Sequence, residues 1–139
     1  MRIPKDLRKE LDFDRKVKSK CKIETKSGIK VQSKGEELIA DFLFDNNINF
    51  DYDKKIEFDD KYWARPDFRI KGTKILIEFW GLRNTFFGTK YTPRYDDKVK
   101  EKIALYKQEG MKLIGVGPSD LPILDKMLAL EFKNIGFKY

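Results

Sequence analysis

The chain has 139 residues, 40% hydrophobic and 14% aromatic, with 30 Lys and Arg against 23 Asp and Glu for a formal net charge of +7. This describes one folded domain rather than a disordered chain, with no run near the roughly 18 apolar residues of a membrane span and a basic excess that favours a polyanionic partner. Cys21 stands alone and His is absent, which excludes an intrachain disulfide, His general bases, Ser-His and Cys-His nucleophiles and ordinary zinc sites, and favours a cytoplasmic setting.

Residues 1–20 carry eight Lys/Arg and four Asp/Glu and lack the apolar core of a signal peptide. They are expected to form a helix or arm, suited either to phosphate contact or to plain solvation. Residues 21–25 and 28–32 predict two short strands around Lys26-Ser27-Gly28. The arm and this hairpin, residues 1–30, precede an α/β unit over residues 31–139. Ser33 opens a helix to about Asn46, with Leu38, Ile39, Phe42 and Leu43 as its apolar stripe. A strand is predicted over residues 54–58, and two more over 65–70 and 74–80, joined by the turn Lys71-Gly72-Thr73-Lys74. Residues 81–93 form a loop rich in aromatic, Gly and basic residues. A second helix runs from Tyr95 to Glu109, closed by Gly110. Leu113 to Val116 is a short buried strand, and Pro118-Ser119-Asp120 starts a last helix to about Phe132. This order predicts an α/β fold, a mixed β-sheet flanked by helices.

Glu78 is the anomaly, a carboxylate inside Ile75-Leu76-Ile77-Glu78-Phe79-Trp80, which otherwise predicts a fully buried strand. An ionised carboxylate there costs several kcal/mol unless it is paired or binds a metal. With Gly72 and Thr73 as the two central residues of a type II′ turn, Lys71 faces Lys74, and counting back sets Asp67 directly across from Glu78. Opposed Cβ atoms lie about 4.5–5.5 Å apart, so a cation is expected between the two acids. An all-oxygen ligand set suits Mg²⁺ or Mn²⁺. The alternative is an ion pair with Arg65, Arg69 or a distant Lys.

Glu36 has two readings. Ser33-x-x-Glu36 is a capping box, in which the Glu returns to the cap amide. At about 100° per residue, Glu36 also lies beside Leu43 at the margin of the apolar stripe, while Glu37 faces away. That position suits a role at or beside a metal site. Gly35 fits either a close approach by a backbone or phosphate, or an ordinary first-turn glycine.

Glu36, then Arg65-Pro66-Asp67-Phe68, then Ile77-Glu78-Phe79-Trp80-Gly81, with Ser33-Lys34-Gly35-Glu36-Glu37-Leu38 around the first acid, resembles the PD-(D/E)XK nuclease superfamily. The likeness spans roughly residues 30–120 and is nearest to nuclease-like modules of microbial DNA-processing proteins, some attached to helicases. It implies a restriction-endonuclease-like core. It also implies a Mg²⁺- or Mn²⁺-dependent endonuclease acting on DNA, with Asp67, Glu78, the Phe79 carbonyl and Glu36 around the metal. The family's Lys, two residues after the strand acid, is Trp80 here. Some members supply that Lys from the following helix, where Tyr95, Val99, Lys102 and Tyr106 share one stripe. Lys102 is the first candidate and Lys98 the second, against the reading that Lys98, Lys100 and Lys102 form a solvated face. Arg65, Arg83, Lys90 and Arg94 are candidate DNA contacts. Phe86, Phe87 and Tyr91 are suited to stacking on unpaired bases or to packing. A helicase or recombination partner and a homodimer are compatible with this pattern. The competing reading is an inactive nuclease fold that binds nucleic acid.

Overall fold

The computed structural model describes residues 21–59, 62–81 and 93–139, without the side chains of residues 93–98. The expected arm, the Arg83 to Tyr91 stretch and the side chains of Arg94, Tyr95 and Lys98 lie outside the described residues. Strands β1 (Ile23–Glu24) and β2 (Lys30–Val31) form the expected first hairpin. Helix α1 (Lys34–Asp45) follows, then β3 (Phe50–Tyr52), β4 (Ile56–Glu57), β5 (Trp63–Ala64), β6 (Phe68–Ile70) and β7 (Ile75–Phe79). Helix α2 (Pro93–Gln108), β8 (Lys112–Val116), a 3₁₀ segment (Pro118–Ile123) and α3 (Leu124–Asn134) complete the order. Among the described residues no helix is long and apolar enough to cross a membrane.

The central sheet is mixed, in the order β3-β6-β7-β8. β6 runs antiparallel to β3 and β7, and β8 is parallel to β7. Parallel neighbours need a crossover, and α2 supplies it. Alternate β7 side chains enter opposite layers. Ile75 and Ile77 pack with Ile39, Leu43, Leu128 and Phe132 of α1 and α3. Leu76 packs with Leu105 and Tyr106 of α2 and with Tyr62 and Ala64 beside β5. β7 is therefore buried on both faces, which is why its sequence is a continuous apolar run with one acid in it.

Four expectations shift. β3 had no counterpart in the predicted elements, although Ile48, Phe50 and Tyr52 alternate with Asn49 and Asp51 in strand fashion. The predicted strand over 54–58 shrinks to β4, which pairs with β5 and stays outside the central sheet. The strand over 65–70 starts only at Phe68, because Pro66 has no N–H to give a ladder. The last helix opens as a 3₁₀ segment containing Pro122, whose missing amide rules out a regular α start.

The β6–β7 turn also differs. It is a four-residue loop, with the Ile70 carbonyl accepting from the Thr73 amide at 3.2 Å and from its hydroxyl at 2.8 Å. Gly72 sits at φ 76°, which L side chains rarely adopt. Arg69 braces the loop through Nε and Nη2, each 3.1 Å from the Thr73 carbonyl. The register is nevertheless the expected one, with Phe68 opposite Ile77 and Arg69 opposite Leu76. The next position along sets Asp67 against Glu78. α2 ends at a left-handed Gly110 (φ 74°), with the Met111 amide on the Tyr106 carbonyl at 2.9 Å.

Gly35, in the first turn of α1, is the point where that helix meets β7. A Cβ there would overlap the Phe79 ring. The close approach is therefore by an aromatic side chain. Gly to Ala inside a helix ordinarily stabilises by about 1 kcal/mol. Here the sign should reverse, with Gly35→Ala lowering the unfolding free energy by about 1–3 kcal/mol through overpacking. Urea melts of the single variant and of Gly35→Ala with Phe79→Ala provide the check, since the penalty should vanish in the second background.

Candidate active site at the ends of β6 and β7

Among the described residues four charged side chains are buried, and three of them, Asp67, Glu78 and Lys102, meet at the ends of β6 and β7. Asp67 is 4% exposed, Glu78 1%, Lys102 2% and Glu36 5%. Asp67 and Glu78 are laced together through the backbone. The Asp67 amide donates to Glu78 Oε1 at 3.3 Å, and Asp67 Oδ2 accepts from the Phe79 amide at 2.7 Å. Pro66 and the end of the ladder leave these amides to side-chain acceptors. Each carboxylate is thus aimed by the other's strand.

Helix α2 completes the arrangement. Val99, Lys102, Leu105 and Tyr106 are all buried, so the predicted stripe faces the sheet. Tyr106 donates its hydroxyl to Glu78 Oε2 at 2.6 Å, and Lys102 Nζ lies 3.7 Å from the same oxygen. Lys102 is therefore not on a solvated face, whereas Lys100 is exposed. The ion-pair alternative for Glu78 holds in this form, with the distant Lys being the same residue expected to replace the missing strand Lys. The sequence places Tyr106 only on the stripe. Its spacing from Lys102 was the available signal for a second contact to Glu78.

Trp80 explains why that position cannot deliver an ammonium. Its amide donates to the Val116 carbonyl at 2.8 Å, continuing the parallel ladder. Its indole lies against Gly115, the residue paired with Glu78, and a Cβ on Gly115 would come to 2.7 Å from the indole Nε1. Trp80 is buried, at 7% exposure, as a wall of the site.

Glu36 is held from α1. Ser33 Oγ accepts the Glu36 amide at 3.2 Å, the expected cap. The return bond goes one residue further back than a capping box predicts, from the Gln32 amide to Glu36 Oε1 at 3.1 Å. The same oxygen accepts the Tyr52 hydroxyl at 2.7 Å. Burial, then the Glu36 charge and hydrogen bond, hold the Tyr52 hydroxyl protonated well above the ordinary tyrosine range, and Asp67 adds to the effect. Among the described residues no group of three His, Cys, Asp or Glu side chains is arranged to hold a metal ion.

Two opposed carboxylates and a strand-end carbonyl at Phe79 remain a fitting donor set for Mg²⁺, which takes one or two carboxylates and keeps waters and substrate phosphate in its other positions. Arg65 is half-buried two residues before Asp67. Arg83, Lys90 and the side chains of Arg94 and Lys98 lie outside the described residues. No protein-family model, curated protein or solved structure matches the chain. The site is defined by its own geometry.

Two measurements test these contacts. Lys102→Met leaves Glu78 buried without its ammonium and should lower the unfolding free energy by about 3–5 kcal/mol. Adding Glu78→Gln should recover a large part of that loss in denaturant melts. Tyr52, with its pKa raised in the folded state, contributes stability that is fully present below about pH 10 and is lost above it as the unfolded chain ionises. The unfolding free energy should therefore fall more steeply above about pH 10 in the wild type than in Tyr52→Phe. Equal slopes would remove Tyr52 from the linkage.

Proposed function

We propose that this chain is a Mg²⁺-dependent endonuclease of the PD-(D/E)XK type that hydrolyses phosphodiester bonds in DNA, in repair, recombination or restriction. The observation that carries the reading is the approach of Lys102 to Glu78 from α2, beside an Asp67 in direct opposition, where Trp80 occupies the usual Lys position. A buried Lys-Tyr-Glu contact made only for stability has no need of a second carboxylate on the neighbouring strand.

Asp67 and Glu78, with the Phe79 carbonyl, would hold the ion, and Mn²⁺ suits the same oxygens. When bound, Mg²⁺ supplies an acidified water and charge neutralisation at the phosphate. Tyr106 and the Asp67 amide grip the two oxygens of Glu78 and fix its plane. Lys102 places positive charge where negative charge develops on the phosphate in the transition state. Glu36 supports from one step away, through Tyr52. Arg65, Arg83, Lys90 and Arg94 would meet the substrate backbone, a salt-dependent attraction. No His is needed at any point.

A second reading has its own observation. Lys102 already neutralises Glu78 within the protein, as in a nuclease fold kept for binding nucleic acid or for attachment to a helicase. Cleavage of supercoiled and branched DNA separates the two. Mg²⁺ or Mn²⁺ should support cutting that EDTA abolishes. Asp67→Asn and Glu78→Gln should bind DNA but not cut it, and Lys102→Met should slow cutting by about 10²–10³-fold. Wild-type rates in Asp67→Asn and Glu78→Gln would sink the nuclease reading. Tight binding with no cutting under any divalent ion would install the second.

A further inference from the structure

Beside the carboxylates, on the same face of the sheet, lies a cleft of about 210 Å³. Lys54, Lys55, Arg69 and Lys71 line it, with Asp51 as the one acid and Pro66 at one side. We infer that this cleft binds a phosphodiester group of the polynucleotide, at a position neighbouring the one in the active site. The inference rests on the nuclease reading and extends it to residues with no role in the site.

Three observations support it. First, Arg69 spends two of its N–H groups on the Thr73 carbonyl. That locks the guanidinium plane and leaves the other three without an acceptor among the described residues. A planar, pre-oriented guanidinium is the group best matched to phosphate oxygens. Second, the acids do not balance the cations. Asp51 lies 3.7 Å from Lys71, and Lys55 is 3.4 Å from Glu57 and stacked over Trp63 at 4.7 Å. Lys54 is exposed, and neither it nor Arg69 has an ion-pair partner among the described residues. Third, the cleft is adjacent to the site. Asp67 and Arg69 are two residues apart on one strand face, roughly 7 Å, and Pro66 of the cleft immediately precedes Asp67. Solvated surface lysines alone would not explain a concave wall built around a braced arginine.

The test is fluorescence anisotropy on labelled DNA in EDTA, so that nothing is cut, over a series of salt concentrations. Lys54→Gln with Lys71→Gln removes two exposed charges and leaves the Arg69 brace intact. Its slope of log affinity against log salt should fall by about 1–2, with several-fold weaker binding. Lys126→Gln with Lys133→Gln on α3, over the other sheet face, removes equal charge and should keep the wild-type slope. A cleft variant with wild-type slope and affinity overturns the assignment, as does a control variant that loses as much. A wild-type protein that binds no DNA overturns both this assignment and the nuclease reading. A protein that binds DNA with the predicted slopes yet never cuts leaves the cleft in place and removes only the activity.

Discussion

A carboxylate on the most buried strand organises this molecule. Glu78 is 1% exposed on β7, which has packed layers on both sides. Desolvating an ion there costs several kcal/mol. The fold answers with three groups: the Tyr106 hydroxyl and Lys102 ammonium from α2, and the Asp67 amide at the start of β6. α2 can meet that need only by lying across the C-terminal end of β7 with its Val99-Lys102-Tyr106 stripe inward. The crossover to the parallel strand β8 and the electrostatics of Glu78 therefore demand the same placement of the helix.

Aromatic side chains then divide the space around the carboxylates. Phe79 and Trp80 follow Glu78 on alternate faces. The Phe79 ring presses on Gly35 of α1, and the Trp80 indole presses on Gly115 of β8. Each contact pairs a large ring with the one residue that has no Cβ. With Trp80 as a wall, a cation for this face has to arrive along a different path, and the helix that packs there supplies it.

Much of this was legible in the sequence. Local patterns with strong physical causes gave reliable elements: the Ser33 cap, the stripe of α1, the Gly110 stop and the opposition of Asp67 and Glu78. The opposition was reached through the wrong turn, yet a four-residue loop between Ile70 and Ile75 keeps the pairing that a tighter loop implies, so the error did not propagate. Lys102 was legible because its spacing to Val99 and Tyr106 is helical. What escaped depended on partners distant in sequence. β3 hid behind a polar stretch whose alternation is short. The Tyr52 to Glu36 bond joins residues that only the folded sheet brings together. The division of 54–64 into a separate hairpin depends on Pro66 and on the left-handed Asp53 (φ 52°), which turn the chain out of the sheet.

The two faces of the site are mechanically joined. Asp67 holds the Phe79 amide, and the ring of the same residue seats the first turn of α1. That turn carries Glu36, which holds Tyr52 on β3, and the Tyr52 hydroxyl in turn feels the charge of Asp67. The loop closes from Asp67 through Phe79, Gly35, Glu36 and Tyr52 back to Asp67. A shift of α1 against the sheet disturbs the carboxylates, because Phe79 contacts both, α1 through its ring and Asp67 through its amide. Glu36 is linked to Asp67 through β3: it holds the Tyr52 hydroxyl, and the Asp53 amide next in the chain donates to the Asp67 carbonyl at 2.9 Å.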